Sequence, residues 1–192
     1  MLQRMSPDGL TPLSNSPPIE LLDRDSSEGD GPLIEAPSLV KVGATYALFY
    51  SSGCTRNADY NVKVATAPSI EGPWTRRGTL LKTGDFGVFA PGSATVRASA
   101  YAQRLASADG NGTVAHAYAG STGLGPQGQA LWDLVFHGRV VTEVGAIRTM
   151  FTSGLEFVFD EGQLAEEEVK EGASRKRTGI VRVVGLGLGG GV

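Results

Sequence analysis

Glu35 is the carboxylate of this sequence whose setting most invites chemistry. It precedes Ala36-Pro37 and stands at the mouth of an apolar alternating run from Ser38 to Gly53. Pro37 removes one backbone donor and pushes Ala36 toward extended geometry. Glu35 is therefore expected on the first residues of a strand. A glutamate at the end of a buried strand is costly unless it is solvated, paired or used. Other chemistries have little to build on. The sequence contains two histidines, His116 and His137, and one cysteine, Cys54, so neither a histidine-rich nor a cysteine-rich metal site can be assembled. There is no G-x-S-x-G elbow, no H-E-x-x-H and no Walker-type loop. Cys54 shows no base partner and reads as an ordinary thiol. Nothing supports a Ser-His-Asp triad.

The elements that must position Glu35 are strands. The run after it reads as two strands joined at Gly43. Tyr60 to Thr66 alternates as a half-buried strand. Ala67 to Trp74 reads as a turn, with a short strand starting at Trp74, and Leu80 to Gly87 as a connection. Ala90-Pro91 followed by Gly92 to Arg97 echoes the Glu35 segment. Thr113 to Ala119, Leu134 to Gly138, Arg148 to Phe151 and Leu155 to Phe159 are further strand candidates, and Gly120 to Gln129 is loop. Groups of four strands spaced by roughly 40–50 residues are what propeller blades show; a β-sandwich has similar periodicity. Residues 1–33, rich in Pro, Ser, Asp and Gly, read as a flexible N-terminal segment. Residues 160–192 read as a disordered or short-helical tail. Within it, Leu164 to Lys170 is a short acidic helical stretch and Arg175-Lys176-Arg177 a basic turn. The closing glycines are not a dinucleotide loop, because no helix follows them.

Length and composition set the bounds. The 192 residues are enough for one ordinary domain with a core. The sequence is 41% hydrophobic and 19% charged, with 27 glycines and 10 prolines, the balance of an all-β chain with many turns. A net charge of -3 gives no electrostatic reason for a nucleic acid or an anionic membrane as partner. No stretch approaches the roughly 20 apolar residues that span a bilayer, and residues 1–20 show no signal-peptide core. Asn111-Gly112-Thr113 is a glycosylation sequon that matters only in a secreted chain.

Ile34 to Gly43, Tyr46 to Gly53, Ala65 to Trp74 with its S-I-E-G-P-W turn, and Leu81 to Gly87 resemble glycoside hydrolase family 43. The likeness runs over residues 34–159 and is most specific in its first half. The resemblance implies an all-β fold, a partial five-bladed β-propeller of about three blades of four-stranded antiparallel sheets. It implies a glycosidase acting on arabinose- and xylose-containing plant polysaccharides by inversion, with Glu35 as general acid. Such an acid needs a carboxyl held protonated by partial burial and by nearby carboxylates. An inverting enzyme also needs a base carboxylate about 6.5–9.5 Å away. In the family the base and a further aspartate precede the E-A-P motif. Here none of Asp8, Asp23, Asp25 or Asp30 stands in a matching strand, so the chain resembles the C-terminal part of such an enzyme. The alternative is a catalytically inactive propeller fragment that at most binds carbohydrate. An unrelated β-sandwich module would require the E-A-P block to be coincidence.

By the same resemblance, Arg148 and Phe86 are substrate-binding positions. His137 has two readings: a ligand of an ion on the propeller axis, or a strand-end histidine that only makes a hydrogen bond. No cofactor is required, and a structural calcium or sodium ion near the axis is the metal the resemblance allows. Ser93 stands where many endo-acting relatives carry a histidine. Trp74 reads as structural. The family implies a carbohydrate substrate, a secreted location and, when complete, a monomer.

Overall fold

The computed structural model describes residues 1–100, 102, 132–140 and 146–157, and the backbone of 158 and 180–188. Among the described residues, eight strands form two four-stranded antiparallel sheets, each a meander in chain order. The first sheet contains β1 (Ile34–Val42), β2 (Thr45–Ser52), β3 (Asn61–Ala67) and β4 (Thr75–Leu81). The second contains β5 (Phe89–Ala98), β6 (Trp132–Arg139), β7 (Thr149–Val158) and β8 (Ile180–Leu188). Two of the about three expected groups of four strands are thus seen among the described residues. The strand candidate at 113–119, the loop at 120–129, the sequon, His116, the acidic stretch at 164–170 and the basic triplet at 175–177 lie outside them.

The first three strands lie where the sequence places them, but only β1 alternates in burial; β2 and β3 are buried on both faces, so Tyr60–Thr66 is not the half-buried strand expected. Gly43, at φ 57°, supplies the left-handed residue of the tight β1–β2 turn. The S-I-E-G-P-W segment is the turn from β3 to β4. The core lies between the sheets, where Phe49, Val62, Val64 and Leu81 of the first meet Ala94, Val96, Leu134, Phe136, Phe151, Leu155 and Phe157 of the second. Phe49 and Phe157 meet edge to face across the interface at 6.2 Å, and Trp132 packs on Phe157 at 5.7 Å, the arrangement the ring quadrupoles favour.

Several expectations need correction. Ala36 is not extended. It takes φ 53°, inside a bulge that shifts the β1–β2 register between Glu35 and Ser38. The Ala90-Pro91 echo is reproduced in three dimensions, with Ala90 at φ 51° and a register shift between Phe89 and Gly92. In both strands Pro lacks the donor a regular ladder needs, and the bulge accommodates it. Arg148–Phe151 and Leu155–Phe159 are not two strands, since Thr149–Val158 is one strand that pairs with β6 without a break from Thr149 to Leu155; Phe159 lies outside the described residues. The tail is not wholly disordered or helical, because Ile180–Leu188 forms β8 along β7. Its glycines mask a β-branched strand that only a partner edge makes stable.

The N-terminal segment is also more structured than its composition suggests. A 3-10 turn at Ser26–Glu28 is capped by Asp25, whose Oδ1 accepts the Ser27 amide at 2.9 Å. Beside it the Asp30 carboxylate is fully buried, with 0% side-chain exposure. Asp30 Oδ1 lies 2.9 Å from Lys63 Nζ and Oδ2 lies 2.7 Å from Arg76 Nη1. The Asp25 amide donates to Oδ2 at 3.0 Å, Lys63 to the Glu28 carbonyl at 2.8 Å, and Arg76 to Tyr50 Oη at 2.8 Å and to the Asp23 carbonyl. Burial acts to raise the Asp30 carboxyl, but the Asp25 amide, Lys63 and Arg76 outweigh it and hold it below the usual carboxylate range. Residues 23–31 are thereby strapped to β2, β3 and β4.

Candidate active site

Glu35 is the second residue of β1, on the strand that faces β5 of the other sheet. Its position follows from the bulge, which sets two residues of β1 against one of β2 and re-aims the strand entry. The carboxylate is exposed, not partly buried as expected. Tyr60, just before β3, donates its hydroxyl to Glu35 Oε1 at 2.8 Å. The same hydroxyl lies 3.3 Å from Ser93 Oγ on β5. Ser93 takes φ 49°, and its amide donates to Ser51 Oγ of β2 at 2.8 Å. A chain of hydrogen bonds thus links the carboxylate, through the Tyr60 hydroxyl, to β5 of the other sheet and back to β2.

Tyr60 is wholly buried. Burial, chiefly, with the Glu35 carboxylate adding to it, pushes its hydroxyl above the usual value against the opposing hydrogen bonds of Ser93 and Ser51. It therefore remains a donor at neutral pH.

His137 of β6 stacks on Tyr60, with ring centroids 6.0 Å apart and planes at 10°. Arg148, just before β7, places Nη1 3.1 Å from His137 Nε2 and donates from Nη2 to the Thr55 carbonyl at 3.1 Å. Arg139 donates to the same carbonyl at 3.0 Å. A guanidinium can only donate, so Nε2 accepts and the ring proton of the neutral imidazole resides on Nδ1. Burial first, then the charges of Arg148 and Arg139, lower the His137 pKa. Nδ1 is buried without a hydrogen-bond partner.

A cation on His137 finds poor support in these residues. The free lone pair of the ring is directed at a guanidinium, and a second guanidinium is close by. No group of three or more His, Cys, Asp or Glu that could hold a metal occurs among the described residues. The residues at hand do not fit an ion there, and they favour the hydrogen-bonding reading of His137.

The structure thus brings together Glu35, His137 and Arg148 of the sequence-derived positions. Phe86 belongs to a separate feature. It occupies a 3-10 turn at Asp85–Gly87 between β4 and β5, at φ 53°, and is 56% exposed. Tyr60, Ser93 and Ser51 were not singled out as functional from the sequence. Ser93 drew notice only for not being a histidine, and Tyr60 only as a strand residue.

Three aspartates of the N-terminal segment are engaged elsewhere in the structure. Asp30 is locked between Lys63 and Arg76, Asp25 caps the 3-10 turn, and Asp8 accepts from Ser6 and the Leu10 amide.

Two four-stranded meanders packed face to face, each opening on a bulged inner strand, define an all-β chain built as part of a β-propeller. No family model matches the chain and no curated protein matches it. Solved structures do. The chain is similar to a thermostable family-43 glycoside hydrolase at 20% identity and a TM-score of 0.53, over 95% of this chain and 46% of that one. It is similar to an α-L-arabinanase of Cellvibrio cellulosa complexed with arabinohexaose, at 20% identity and a TM-score of 0.50, over 82% of this chain and 46% of that one. An exo-1,5-α-L-arabinanase from a bovine ruminal metagenomic library gives 20% identity and a TM-score of 0.50, over 83% of this chain and 45% of that one. At this identity the likeness shows the fold, that of the glycoside hydrolases which the sequence motifs resemble. The chain spans less than half the length of each of these structures.

Proposed function

We propose that this chain is the acid-bearing part of a glycoside hydrolase acting on arabinose- or xylose-containing polysaccharides by inversion. The observation that supports this most is the Glu35 carboxylate at the bulged start of β1, held by the buried Tyr60 hydroxyl at 2.8 Å beside His137 and Arg148. One carboxylate oxygen is anchored and the other is unengaged among the described residues, so one oxygen is left to face a substrate. Glu35 protonates the departing glycosidic oxygen. A second carboxylate, outside the described cluster, activates water from the opposite face of the sugar, at the wider spacing that inversion requires. Arg148, through donors not spent on His137 and Thr55, contacts a sugar hydroxyl. Phe86 serves as an exposed stacking face at a pocket mouth. The protein acts outside the cell on carbohydrate and no step needs a metal.

A second reading, a non-catalytic chain that binds carbohydrate, draws on one observation: no described carboxylate joins Glu35 in its hydrogen-bonded cluster. One comparison separates the two. Release of pentose from aryl arabinofuranosides, aryl xylosides and linear arabinan is measured for the chain and for Glu35→Gln. Turnover that falls by about 10²-fold or more in Glu35→Gln supports the enzyme. Binding of arabino-oligosaccharide without turnover in either protein supports the binding module.

A further inference from the structure

The Glu35 carboxylate is exposed, yet the group that grips it is among the most deeply buried in the molecule. Tyr60 is confined from several sides. Its ring stacks on His137. It also lies against the backbone of Gly92, where an added Cβ would overlap Tyr60 Cε1. Gly92 is thus the residue that lets β5 approach the phenol. The hydroxyl is fixed between Glu35 Oε1 and Ser93 Oγ. Ser93 is fixed in turn by its left-handed backbone and by its bond to Ser51. A core tyrosine needs one partner for its hydroxyl, and Ser93 would suffice. That the hydroxyl also reaches out to an exposed carboxylate at a shorter distance than to the serine is not required by packing.

We infer that Tyr60 is a positioning residue of this site, fixing Oε1 of Glu35 so that Oε2 is the oxygen that carries the transferable proton. The inference rests on the reading of Glu35 as general acid and adds to it the element that orients the acid. An exposed glutamate has several rotamers of similar energy, and only some of them present a proton along a given direction. Donation from a rigid, buried phenol selects one. Because the phenol stands at the entry to β3, its ring platform on β6 and its second contact on β5, the geometry of the acid depends on the packing of both sheets. Orientation of this kind acts on the chemical step rather than on substrate binding.

The test compares the chain with Tyr60→Phe and Glu35→Gln. Phenylalanine keeps the buried ring and its stacking on His137 and removes only the hydroxyl. Turnover is measured on phenyl and on 2,4-dinitrophenyl α-L-arabinofuranosides and β-D-xylosides. The dinitrophenolate leaves without protonation. Tyr60→Phe is expected to lower kcat on the phenyl substrates by about 10–100-fold, with KM little changed, and to leave the dinitrophenyl substrates nearly unaffected. Equal losses on both leaving groups would mean that the hydroxyl only supports the fold, and would overturn the inference. A Glu35→Gln protein that retains phenyl turnover would instead overturn the acid assignment on which the inference stands.

A second readout does not require turnover. Relaxation of the ¹³C-labelled Glu35 side chain is expected to show one ordered rotamer in the parent. It should show rotamer averaging in Tyr60→Phe, while the backbone amide spectrum stays in place. A Glu35 side chain equally ordered in both proteins would refute the positioning role whether or not the chain turns over substrate.

Discussion

Replacing Asp30 with alanine should cost the fold several kcal/mol. Asp30 is the shared anion of two cations, with side-chain exposures of 0% for Asp30, 4% for Lys63 and 13% for Arg76. Removal of its carboxylate leaves Lys63 and Arg76 facing each other without a counter-ion in a site that water barely reaches. Breaking a buried pair from one side costs about 3–5 kcal/mol, mostly as the penalty of the stranded charge. The amide of Asp25 also loses its acceptor. Against a net stability of about 5–15 kcal/mol for an ordinary domain, this is a large share. With a urea m-value of about 2 kcal/mol/M, the unfolding midpoint should drop by roughly 2 M. Equilibrium unfolding followed by circular dichroism reads this directly. A midpoint shift under roughly 0.5 M would refute the picture of a dry triad. Replacing Asp30, Lys63 and Arg76 together by Leu, Met and Met should recover most of the loss, because no charge is then stranded. The same site sets a pH dependence. The Asp30 carboxyl lies below its unfolded value, so its contribution is complete above about pH 4 and is lost as the pH falls through the folded value. Acid unfolding of the parent should therefore be steeper below pH 4 than that of Asp30→Asn.

Other expectations follow from single contacts. Gly92→Ala should displace the Tyr60 ring and destabilise the chain by about 1–3 kcal/mol, measured by thermal unfolding, and it should also loosen Glu35 in the relaxation experiment. Phe157→Ala removes a ring that bridges Phe49 and Trp132 and should cost about 3–5 kcal/mol in the same urea assay. Ending the chain after residue 179 removes β8 and leaves the paired groups of β7 at an open edge. Hydrogen exchange of the β7 amides that bond to β8 should then accelerate, while those of β2 stay protected.

Local patterns carried much of the fold. The alternation from Ser38 to Ser52 and from Tyr60 to Thr66, broken by Gly43 and by the S-I-E-G-P-W turn, placed β1, β2 and β3 within a residue or two of where they lie. Their periodicity and turn residues are properties of the segments themselves. What the sequence concealed depends on partners distant in the chain. Ala36 and Ala90 adopt left-handed backbones because the bulges absorb the mismatch between a proline and its neighbouring strand, which only the paired strand defines. Thr152 to Gly154 fell between two strand candidates, yet all three residues pair with β6. β8 looked like a glycine-rich tail and is ordered along the edge of β7. In the site, Glu35 was legible from its motif, and His137 and Arg148 from resemblance. Tyr60 was not, because its role arises where β3 meets β5 and β6. A tyrosine placed ahead of an alternating run, with an unusually small residue such as Gly92 in a later strand, is the faint signal that could have pointed to it.

The paired Ala-Pro bulges mean that the molecule offers the same seat twice. Glu35 occupies the first, and Phe89 the corresponding place ahead of Ala90-Pro91 in β5. The backbone at the two seats is alike, so the path of the main chain alone does not make an acid of whatever residue sits there. At the first seat the occupant meets a phenol that holds it from β3. At the second, the occupant is an apolar ring, Phe89, opposite Arg139 in the ladder as Glu35 is opposite Ser51. Duplication of a strand entry can thus multiply the scaffold of a reactive group without multiplying the reaction, and what distinguishes the copies is the side chain each occupant carries and meets.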